Sequence, residues 1–380
     1  MIRVITCTLC LTHACTLRCC YCYAGRKYNH AMSKETAQRA IDICLNEAIA
    51  QGRGLDLSFF GGEPLLEWEL LQWSYEYLEA RKEQLIVPPR YGITTNGTLL
   101  TPERLAWMEE RDFLIGISVD GSPAMHNINR CYVNGKGSHA AVAKALELLN
   151  NSPHIRTKAI CVVSPNNVHL LAEGVQWLAA HFRHEIGLNI DYWSEWTDEQ
   201  FELLCEQYRQ VATMVLKSYR KGTPIRLSNI EYKIESHIRS SETEAAAACA
   251  QCTIGEREIG VSVDGNFFPC SRLVGNGDDE ELNFGNVREG INRAKQHWII
   301  ANRGNVTPAC KLCTLRARCT NSCGCTNHAS TGRINEVSPF LCCSEKFFIE
   351  TADEVAEILY AEQNPHFMQR FYPGVDVEKA

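Results

Sequence analysis

Three cysteines near the N-terminus have a spacing that could bind a metal cluster. Cys15, Cys19 and Cys22 are separated by three and then by two residues. A tetrahedral zinc site or a fully ligated iron–sulfur cube needs four protein ligands, so a trio leaves one iron of a cube open to a ligand that is not protein. Two alternatives stay open. The trio could be ordinary buried loop cysteines, or a four-ligand site could recruit one more cysteine from Cys7, Cys10, Cys20 and Cys44.

A second set of cysteines lies in the C-terminal part of the chain. Its members are Cys252, Cys270, Cys310, Cys313, Cys319, Cys323 and Cys342. Sulfur-only ligation without paired histidines suits iron–sulfur clusters or zinc. Two cubes would need eight ligands, and Cys249 would be the eighth; either it ligates or one cluster keeps an open iron. Structural zinc knuckles are the alternative for this region, in which Cys325 and Cys343 are spare neighbours.

The composition limits the function classes. The 380 residues are 45% hydrophobic and carry a net charge of -7, with a pI near 6.0, which argues against a general nucleic-acid binder. No apolar run approaches the ~18 residues of a membrane span, and the N-terminus lacks signal-peptide order. We therefore predict a cytoplasmic protein without a membrane partner, and twenty cysteines in such a protein favour metal or redox chemistry over disulfides.

Strand-then-helix units that could position these cysteines repeat along residues 1–222. The predicted strands span residues 2–12, 55–60, 91–95, 114–119, 156–163 and 187–192. Helix starts are predicted after Ser33, after Thr101 with Pro102 first, and at the capping box that opens with Thr197; the helix after the fourth strand is predicted only near Ser138. This α/β pattern predicts a parallel sheet. We interpret it as an open, partial (β/α)6 TIM-like barrel, with a flat doubly wound sheet as the alternative.

Polar and glycine-rich segments follow several predicted strands at their carboxyl ends. They are Gly61-Gly62-Glu63-Pro64, Thr95-Asn96-Gly97, Ser118-Val119-Asp120-Gly121 and Asp191. Each alone is typical of a turn. Because barrels and open α/β sheets place their active sites at this edge, the repetition favours a functional site there.

The pattern changes after Gly222. We predict a linker helix over 223–248, a small cysteine-rich domain over 249–345, and a C-terminal helix and tail over 346–380, with the last helix running from about 344 to 363. Alternating apolar residues before Asp264-Gly265 predict a hairpin. Residues 301–343 show little periodicity, so a metal scaffold is expected to order them.

Both cysteine sets and the strand-end motifs together resemble the radical S-adenosylmethionine (SAM) enzymes that carry a C-terminal SPASM domain. The resemblance implies that Cys15, Cys19 and Cys22 hold a [4Fe-4S] cluster whose open iron is chelated by SAM. The implied SAM contacts are Tyr21 on the adenine, Gly61, Gly62 and Glu63 on the methionine amino group, and Ser118 and Asp120 on the ribose or carboxylate, with Thr95 and Asn96 nearby.

The resemblance also implies two auxiliary [4Fe-4S] clusters and a radical reaction. One cluster would be held by Cys252, Cys270 and Cys323, with or without another cysteine, and the other by Cys310, Cys313, Cys319 and Cys342. The reduced SAM cluster would generate a 5'-deoxyadenosyl radical that abstracts a substrate hydrogen, while the protein orients the reactants. A reductant such as flavodoxin or ferredoxin is the expected partner.

The implied substrate is a peptide or protein. In sulfatase maturases an Asp follows the cysteine after the hairpin, whereas Ser271 follows Cys270 here. We therefore predict a peptide maturase that installs a thioether or carbon-carbon crosslink in a ribosomally made peptide. The alternatives are an anaerobic sulfatase maturase that makes formylglycine and, from another class, a non-enzymatic iron-sulfur redox sensor or scaffold.

Two residues are candidates for further roles in the reaction. Arg130 ends a stretch, His126 to Arg130, that resembles a family H-D-x-x-R pattern and could orient SAM or substrate. Asp191, at the end of the sixth predicted strand, is a candidate base. Because the cysteine motif begins close to the N-terminus, we expect leader binding to use a separate protein or the SPASM surface.

Overall fold

The computed structural model describes residues 3–240, 252–303 and 307–373. The chain forms two compact units, and each draws on separate parts of the sequence. The first comprises Met1–Val119, Arg130–Lys158 and Thr253–Arg303; the second comprises Asp120–Asn129, Ala159–Cys252 and Gly304–Ala380. The domain boundaries at 222, 248 and 345 stay a prediction, since these units divide the chain at other points.

The described strands agree with the predicted α/β class. They are β1 Val4–Cys10, β2 Gly54–Phe60, β3 Tyr91–Thr95, β4 Leu114–Ser118, β5 Arg156–Val163, β6 Glu185–Ile190, β7 Glu258–Val261, β8 Phe267–Phe268, β9 Gly285–Asn286 and β10 Gly290–Ile291. In the first unit β1 to β4 lie side by side in chain order, with parallel pairings. Their carboxyl ends therefore meet at one edge, as predicted.

Apolar residues on these strands explain why they are central. Leu9, Leu57, Phe59 and Ile115 are almost or fully buried. Parallel strands covered on both faces read as near-continuous hydrophobic runs, as β1, β2 and β4 do. In the second unit β5 and β6 are neighbours, and Asp191, just beyond β6, donates its backbone N–H to the Val163 carbonyl at 2.8 Å.

A strand from the C-terminal half extends the sheet of the first unit. β7 pairs in parallel with β1, on the side of β1 opposite to β2. The hairpin predicted around Asp264-Gly265 is confirmed, because β8 returns antiparallel to β7 with Val261 opposite Phe267. The sequence pattern did not indicate the β1–β7 pairing.

The described α-helices number thirteen, and three of them begin directly after predicted capping residues. They are α1 Lys34–Ala50, α2 Trp68–Glu79, α3 Pro102–Glu109, α4 Pro123–Asn129, α5 His139–Asn150, α6 Leu171–His181, α7 Asp198–Arg220, α8 Ser228–Ser240, α9 Arg293–Asn302, α10 Pro308–Lys311, α11 Gly324–Thr331, α12 Pro339–Ala361 and α13 Pro365–Phe371. Ser33 and Thr101 cap α1 and α3 through their side-chain oxygens, and Thr197 forms a capping box with Gln200.

Three predicted element boundaries were wrong. A short helix, α4, follows β4 well before Ser138. Strand β6 begins at Glu185 and ends at Ile190, so the predicted range was displaced toward the C-terminus. Helix α12 begins at Pro339 because the Ser338 side chain accepts the Leu341 N–H and proline suits the first helical position. Among the described helices, none combines the length and the apolar character that crossing a membrane requires.

Candidate active site

The end of β2 lies directly against the chain that leads into the cysteine loop, residues 15–22. The Gly62 N–H donates to the Thr12 carbonyl at 2.7 Å, and the Glu63 N–H donates to the Ala14 carbonyl at 2.9 Å. A Cβ at Gly62 would lie 2.0 Å from the Ala14 carbonyl oxygen, and one at Gly61, whose φ is +132°, would lie 2.6 Å from the Thr12 oxygen. Only glycines permit this approach.

The Glu63 carboxylate connects the ends of β2 and β3. It is fully buried and accepts hydrogen bonds from the Thr95 hydroxyl at 2.6 Å, the Asn96 N–H at 2.8 Å and the Leu65 N–H at 3.1 Å. Burial raises the pKa of Glu63, while these three hydrogen bonds lower it. Both carboxylate oxygens therefore have partners in the protein, and contact with a SAM amino group stays a prediction.

Cys15 lies at the centre of these contacts. Its Sγ accepts the Leu17 N–H at 3.4 Å and lies 3.6 Å from the Asn96 side-chain nitrogen. Burial raises the pKa of the Cys15 thiol; the Leu17 N–H lowers it, and nearby Glu63 and Cys22 raise it. Cys15 and Cys22 are thus close enough to interact electrostatically.

The other two cysteines of the loop occupy a tight turn. The Cys22 N–H donates to the Cys19 carbonyl at 3.3 Å. Cys19 is half-buried and Cys22 is exposed, and none of the three forms a disulfide with another described cysteine. The structure therefore places the predicted trio in one loop, while Cys7, Cys10 and Cys44 are buried.

A second segment packs on the cysteine loop through Tyr21 and its neighbours. The Arg130 guanidinium carbon lies 5.2 Å from the centroid of the Tyr21 ring, which is a cation–π distance. The Arg18 N–H donates to the Cys131 carbonyl at 2.7 Å. Arg130 is buried, and its carbonyl oxygen accepts a hydrogen bond of 2.7 Å from the Ser138 hydroxyl. Arg130 therefore supports the loop, and its predicted role toward SAM or substrate stays a prediction.

Tyr23 was not singled out from the sequence, yet it lies close to both cysteine sets. Its ring stacks on Phe60 at a centroid distance of 5.9 Å. Burial raises the pKa of Tyr23 to about 12; nearby Arg272 lowers it, whereas Cys270, Cys22 and Cys10 raise it. The only sequence signal was the position of Tyr23 directly after Cys22.

The residues predicted after β4 have structural partners. Ser118 is the last residue of β4. Asp120 is fully buried; its Oδ1 accepts the Val162 N–H at 2.8 Å, and its own N–H donates to His126 Nδ1 at 3.2 Å. Gly121, at φ +100°, would place a Cβ 2.4 Å from the Gly174 Cα. The turn is therefore tightly constrained, and SAM contacts by Ser118 or Asp120 stay a prediction.

Asp191 acts as the cap of its own loop. Its Oδ1 accepts the Trp193 N–H at 3.1 Å, and its Oδ2 accepts the Ser194 hydroxyl at 2.5 Å. The side chain is buried at the end of β6. This geometry explains Asp191 as a turn residue, and the predicted role as a base is not needed to account for it.

In the second unit, the structure places Cys310, Cys313, Cys319 and Cys342 in one neighbourhood. Burial raises the pKa of Cys319 to about 12, nearby Glu345 and Cys310 also raise it, and the Asn321 N–H and Lys233 lower it. Burial likewise raises the pKa of Cys342; Lys346 lowers it, whereas Cys343, Cys310 and Cys313 raise it. These mutual effects show that the four cysteines lie near one another, and their grouping as ligands of one cluster stays a prediction.

Buried charges hold the segment that carries these cysteines. The Lys233 ammonium pairs with the Glu345 carboxylate, and both residues are buried. Glu345 also accepts the Thr320 N–H at 2.6 Å, and the Arg318 guanidinium donates to the Asp353 carboxylate at 2.7 Å. The backbone on both sides of Cys319 is thereby fixed by side chains.

The remaining predicted cluster ligands are distributed over both units of the chain. Cys270 lies in the first unit, Cys252 and Cys323 lie in the second unit, and Cys249 lies outside the described residues. Over residues 3–240, 252–303 and 307–373, no three or more His, Cys, Asp or Glu side chains form a group suited to a single metal ion. Each thiolate of a cube binds its own iron, so cluster ligands need not converge on one point.

The residues present fit the cluster and SAM that the resemblance implies. The trio supplies three soft thiol ligands without a disulfide, which suits a cube with one open iron. The glycine turn after β2 lies against the chain just before Cys15, where a Cβ could not fit. Cys15, Cys19 and Cys22 would hold the cluster, and the strand-end turns would border SAM.

Comparison with known proteins agrees with this assignment. Residues 9–178 match the model of the radical SAM superfamily. An uncharacterized protein of Methanocaldococcus jannaschii is 35% identical over 170 residues, which is 45% of this chain and 57% of that protein. A cysteine-type anaerobic sulfatase-maturating enzyme of Clostridium perfringens is 23% identical over 363 residues, covering 89% of this chain and 93% of that enzyme.

Among solved structures, native anSMEcpe with bound AdoMet and Cp18Cys peptide is similar to this chain. The TM-score is 0.77 at 20% sequence identity, and the match covers 94% of this chain and 99% of that one. This likeness shows the fold. The domain match over residues 9–178 agrees with the predicted radical SAM family, and such a domain implies a [4Fe-4S] cluster and SAM. The chain carries a radical SAM domain over residues 9–178 and is an enzyme.

Proposed function

We propose that this enzyme is a maturase that modifies a peptide or protein through a substrate radical. The observation that carries the proposal is the loop of Cys15, Cys19 and Cys22, which the turn at Gly62 anchors and the Asn96 side chain contacts. When bound, the [4Fe-4S] cluster and SAM supply a 5'-deoxyadenosyl radical that abstracts a substrate hydrogen.

The protein itself positions and shields the reacting groups. Backbone hydrogen bonds from the residues that follow β2 fix the chain that leads into the loop. The Arg130 guanidinium packs on the Tyr21 ring within the loop. We propose that this scaffold is a partial (β/α)6 barrel. The parallel order of β1 to β4 and the likeness to anSMEcpe support that architecture.

We further propose that the C-terminal cysteines hold two auxiliary [4Fe-4S] clusters in a SPASM domain. The shared neighbourhood of Cys310, Cys313, Cys319 and Cys342 supports one of them. The proposed ligands of the other are Cys252, Cys270 and Cys323, with Cys249 as the possible fourth. Proximity of Cys270 to Tyr23 supports a place for that cluster beside the N-terminal loop.

The preferred reaction is a thioether or carbon-carbon crosslink in a ribosomally made peptide. Ser271 occupies the position after Cys270, in a short turn over Ser271–Leu273, and a hydroxyl is a far weaker base than a carboxylate. The bound peptide in the anSMEcpe structure supports a peptide substrate. The proposed partners are a flavodoxin or ferredoxin as reductant and a separate leader-binding protein, and the proposed location is the cytoplasm.

Formylglycine formation is the second candidate. It is favoured by the Clostridium perfringens relative, a cysteine-type anaerobic sulfatase-maturating enzyme that is 23% identical over 89% of this chain. In that case another group must accept the proton that the Asp takes in the sulfatase maturases.

The proposed enzymatic activity is tested with the reconstituted chain under anaerobic conditions. Dithionite and SAM are added, and 5'-deoxyadenosine is quantified; the C15A/C19A/C22A variant is the matched control. We expect product only from the wild-type chain. An intact reducible cluster that yields none would leave the non-enzymatic sensor as the better explanation. Iron near twelve atoms per chain supports three cubes, whereas about four removes the auxiliary clusters.

The two reactions are distinguished by mass spectrometry of candidate peptides encoded beside the gene. A peptide that loses two hydrogen atoms, becomes crosslinked and does not react with a hydrazide supports the preferred reaction. A hydrazide-reactive aldehyde at a Cys or Ser supports formylglycine formation. The Ser271→Asp variant measures whether a carboxylate at this position changes the product.

A further inference from the structure

We propose that the Asn96 carboxamide tunes the reduction potential of the SAM cluster by donating an N–H···S hydrogen bond to Cys15. The inference rests on the proposed function in one respect, namely that Cys15 is a cluster ligand. Asn96 is a tuning residue in this proposal, because it acts on the cluster through a ligand.

The contact itself is specific to the Asn96 side chain. Its Nδ2 lies 3.6 Å from Cys15 Sγ and 3.1 Å from the Thr16 hydroxyl oxygen. Sulfur is a weak acceptor when protonated, but a thiolate carries charge and accepts more strongly. The Leu17 backbone N–H approaches the same sulfur at 3.4 Å. Two N–H donors therefore converge on the Cys15 sulfur.

The orientation of the Asn96 side-chain amide follows from its contacts with Thr98. Asn96 Oδ1 accepts the Thr98 backbone N–H at 3.0 Å and the Thr98 hydroxyl at 2.7 Å. A backbone N–H can only donate, so the side-chain atom facing it must be the carbonyl oxygen. The NH₂ group therefore faces Cys15 and Thr16.

The backbone of Asn96 is held as firmly as its side chain. Its N–H donates to the buried Glu63 carboxylate at 2.8 Å, and Thr95 donates its hydroxyl to the same carboxylate at 2.6 Å. The Gly97 N–H in turn donates to the Thr95 hydroxyl at 3.0 Å. Asn96 is 7% exposed, so packing as well as hydrogen bonding restrains the donor.

Electrostatics gives the direction of the effect. Adding an electron makes the cluster and its thiolates more negative, which strengthens an N–H···S hydrogen bond and favours the reduced state. Loss of the donor therefore shifts the potential to more negative values. For a hydrogen bond of ordinary net strength, the reduced-to-oxidised ratio at a fixed potential falls about fivefold.

The test compares Asn96→Leu and Asn96→Asp in the full reconstituted chain. Leucine removes the donor at similar size, whereas aspartate keeps the shape and replaces the donor with a charged acceptor. The midpoint potential is read by redox titration followed by electron paramagnetic resonance, using the signal that C15A/C19A/C22A lacks. We expect the potential to decrease from wild type to Asn96→Leu and further to Asn96→Asp.

Thr16→Val is the matched control. It removes the second acceptor of Asn96 Nδ2 and leaves the Cys15 contact, so we expect an unchanged midpoint. A shift in Thr16→Val as large as in Asn96→Leu, an unchanged midpoint in Asn96→Leu, or complete loss of the cluster in both Asn96 variants would each overturn the proposal. Absence of any reducible cluster that depends on Cys15, Cys19 and Cys22 in the wild type would instead refute the proposed function.

Discussion

The two cysteine regions are held in place by different kinds of contact. The N-terminal loop rests on main-chain hydrogen bonds, such as those from Gly62 and Glu63 to residues 12–14, at the edge of a buried parallel sheet. The C-terminal cysteine segment, residues 307–343, depends on side chains, chiefly the buried Lys233–Glu345 pair and Arg318. The sheet therefore shapes the first site. The second site requires neutralisation of its buried charges, and we expect it to require its metal as well.

The largest expected effect is on the second region. Lys233→Met leaves the buried Glu345 carboxylate without its cation, and we expect the free energy of unfolding to fall by about 3–5 kcal/mol. Urea unfolding measures the loss, and hydrogen exchange should locate it in residues 307–343. The control Glu35→Gln breaks the exposed pair with Arg39 and should cost less than about 0.5 kcal/mol. Equal loss of protection in residues 12–25 would contradict the distinction between the regions.

The corresponding change in the first region is Gly62→Ala. A Cβ there would lie 2.0 Å from a backbone oxygen, and we expect a loss of about 2–3 kcal/mol together with loss of iron from the N-terminal loop. Gly92→Ala is the control, because its Cβ would meet its nearest atoms at 3.5 Å; its effect should stay within about 1 kcal/mol. If Gly62→Ala binds iron normally, the main-chain contact is not what shapes the site.

The stability of the first unit should also depend on pH. Burial raises the pKa of Glu258 on β7 to about 7, although the Thr6 side chain and Arg257 lower it. A carboxyl group whose pKa is higher in the folded state contributes stability at low pH, and this contribution is lost as pH rises from about 4.5 through 7.

Glu258→Gln should remove that dependence. Allowing for its partial exposure, we expect a gain of about 2 kcal/mol at pH 8 and little change at pH 4.5. Urea unfolding at both pH values measures it, with the exposed Glu281→Gln as control. A gain of equal size at both pH values would exclude ionisation of Glu258 as the cause.

The smallest expected effects come from two helix caps. Ser338 caps α12, which carries the proposed ligand Cys342, whereas Ser33 caps α1, whose cysteine, Cys44, is not among the proposed ligands. Each Ser→Ala variant should lose about 1 kcal/mol. Only Ser338→Ala should also weaken iron binding by the C-terminal segment, as measured by iron content after reconstitution. Equal iron loss in both variants would show that the caps act through global stability alone.

Much of the first region could be predicted because its signals are local. Thr101-Pro102 and the Thr197 capping box specify helix starts from adjacent residues, and β3 is a short apolar and β-branched run that ends in Asn96-Gly97. The cysteine spacing and the strand-end motifs then identify the site, because parallel strands bring their carboxyl ends together.

Other features depend on partners that are distant in sequence. The motif around Glu63 predicts contact with a ligand, whereas in the structure the Thr95 hydroxyl and the Asn96 N–H donate hydrogen bonds to its carboxylate. The Asn96 contact to Cys15 joins two turns some eighty residues apart, and the pairing of Lys233 with Glu345 joins two helices. No local pattern encodes such pairs, since each depends on which elements pack together.

The pairing of β7 with β1 has a consequence for synthesis of the chain. Thr6 donates its N–H to the Arg257 carbonyl at 2.7 Å, so one edge of the first strand made is covered by residues made far later. A nascent chain that ends before Arg257 presents that edge unpaired, and such edges promote aggregation. The edge of the strand that leads into Cys15 is therefore covered only after most of the chain has been synthesised.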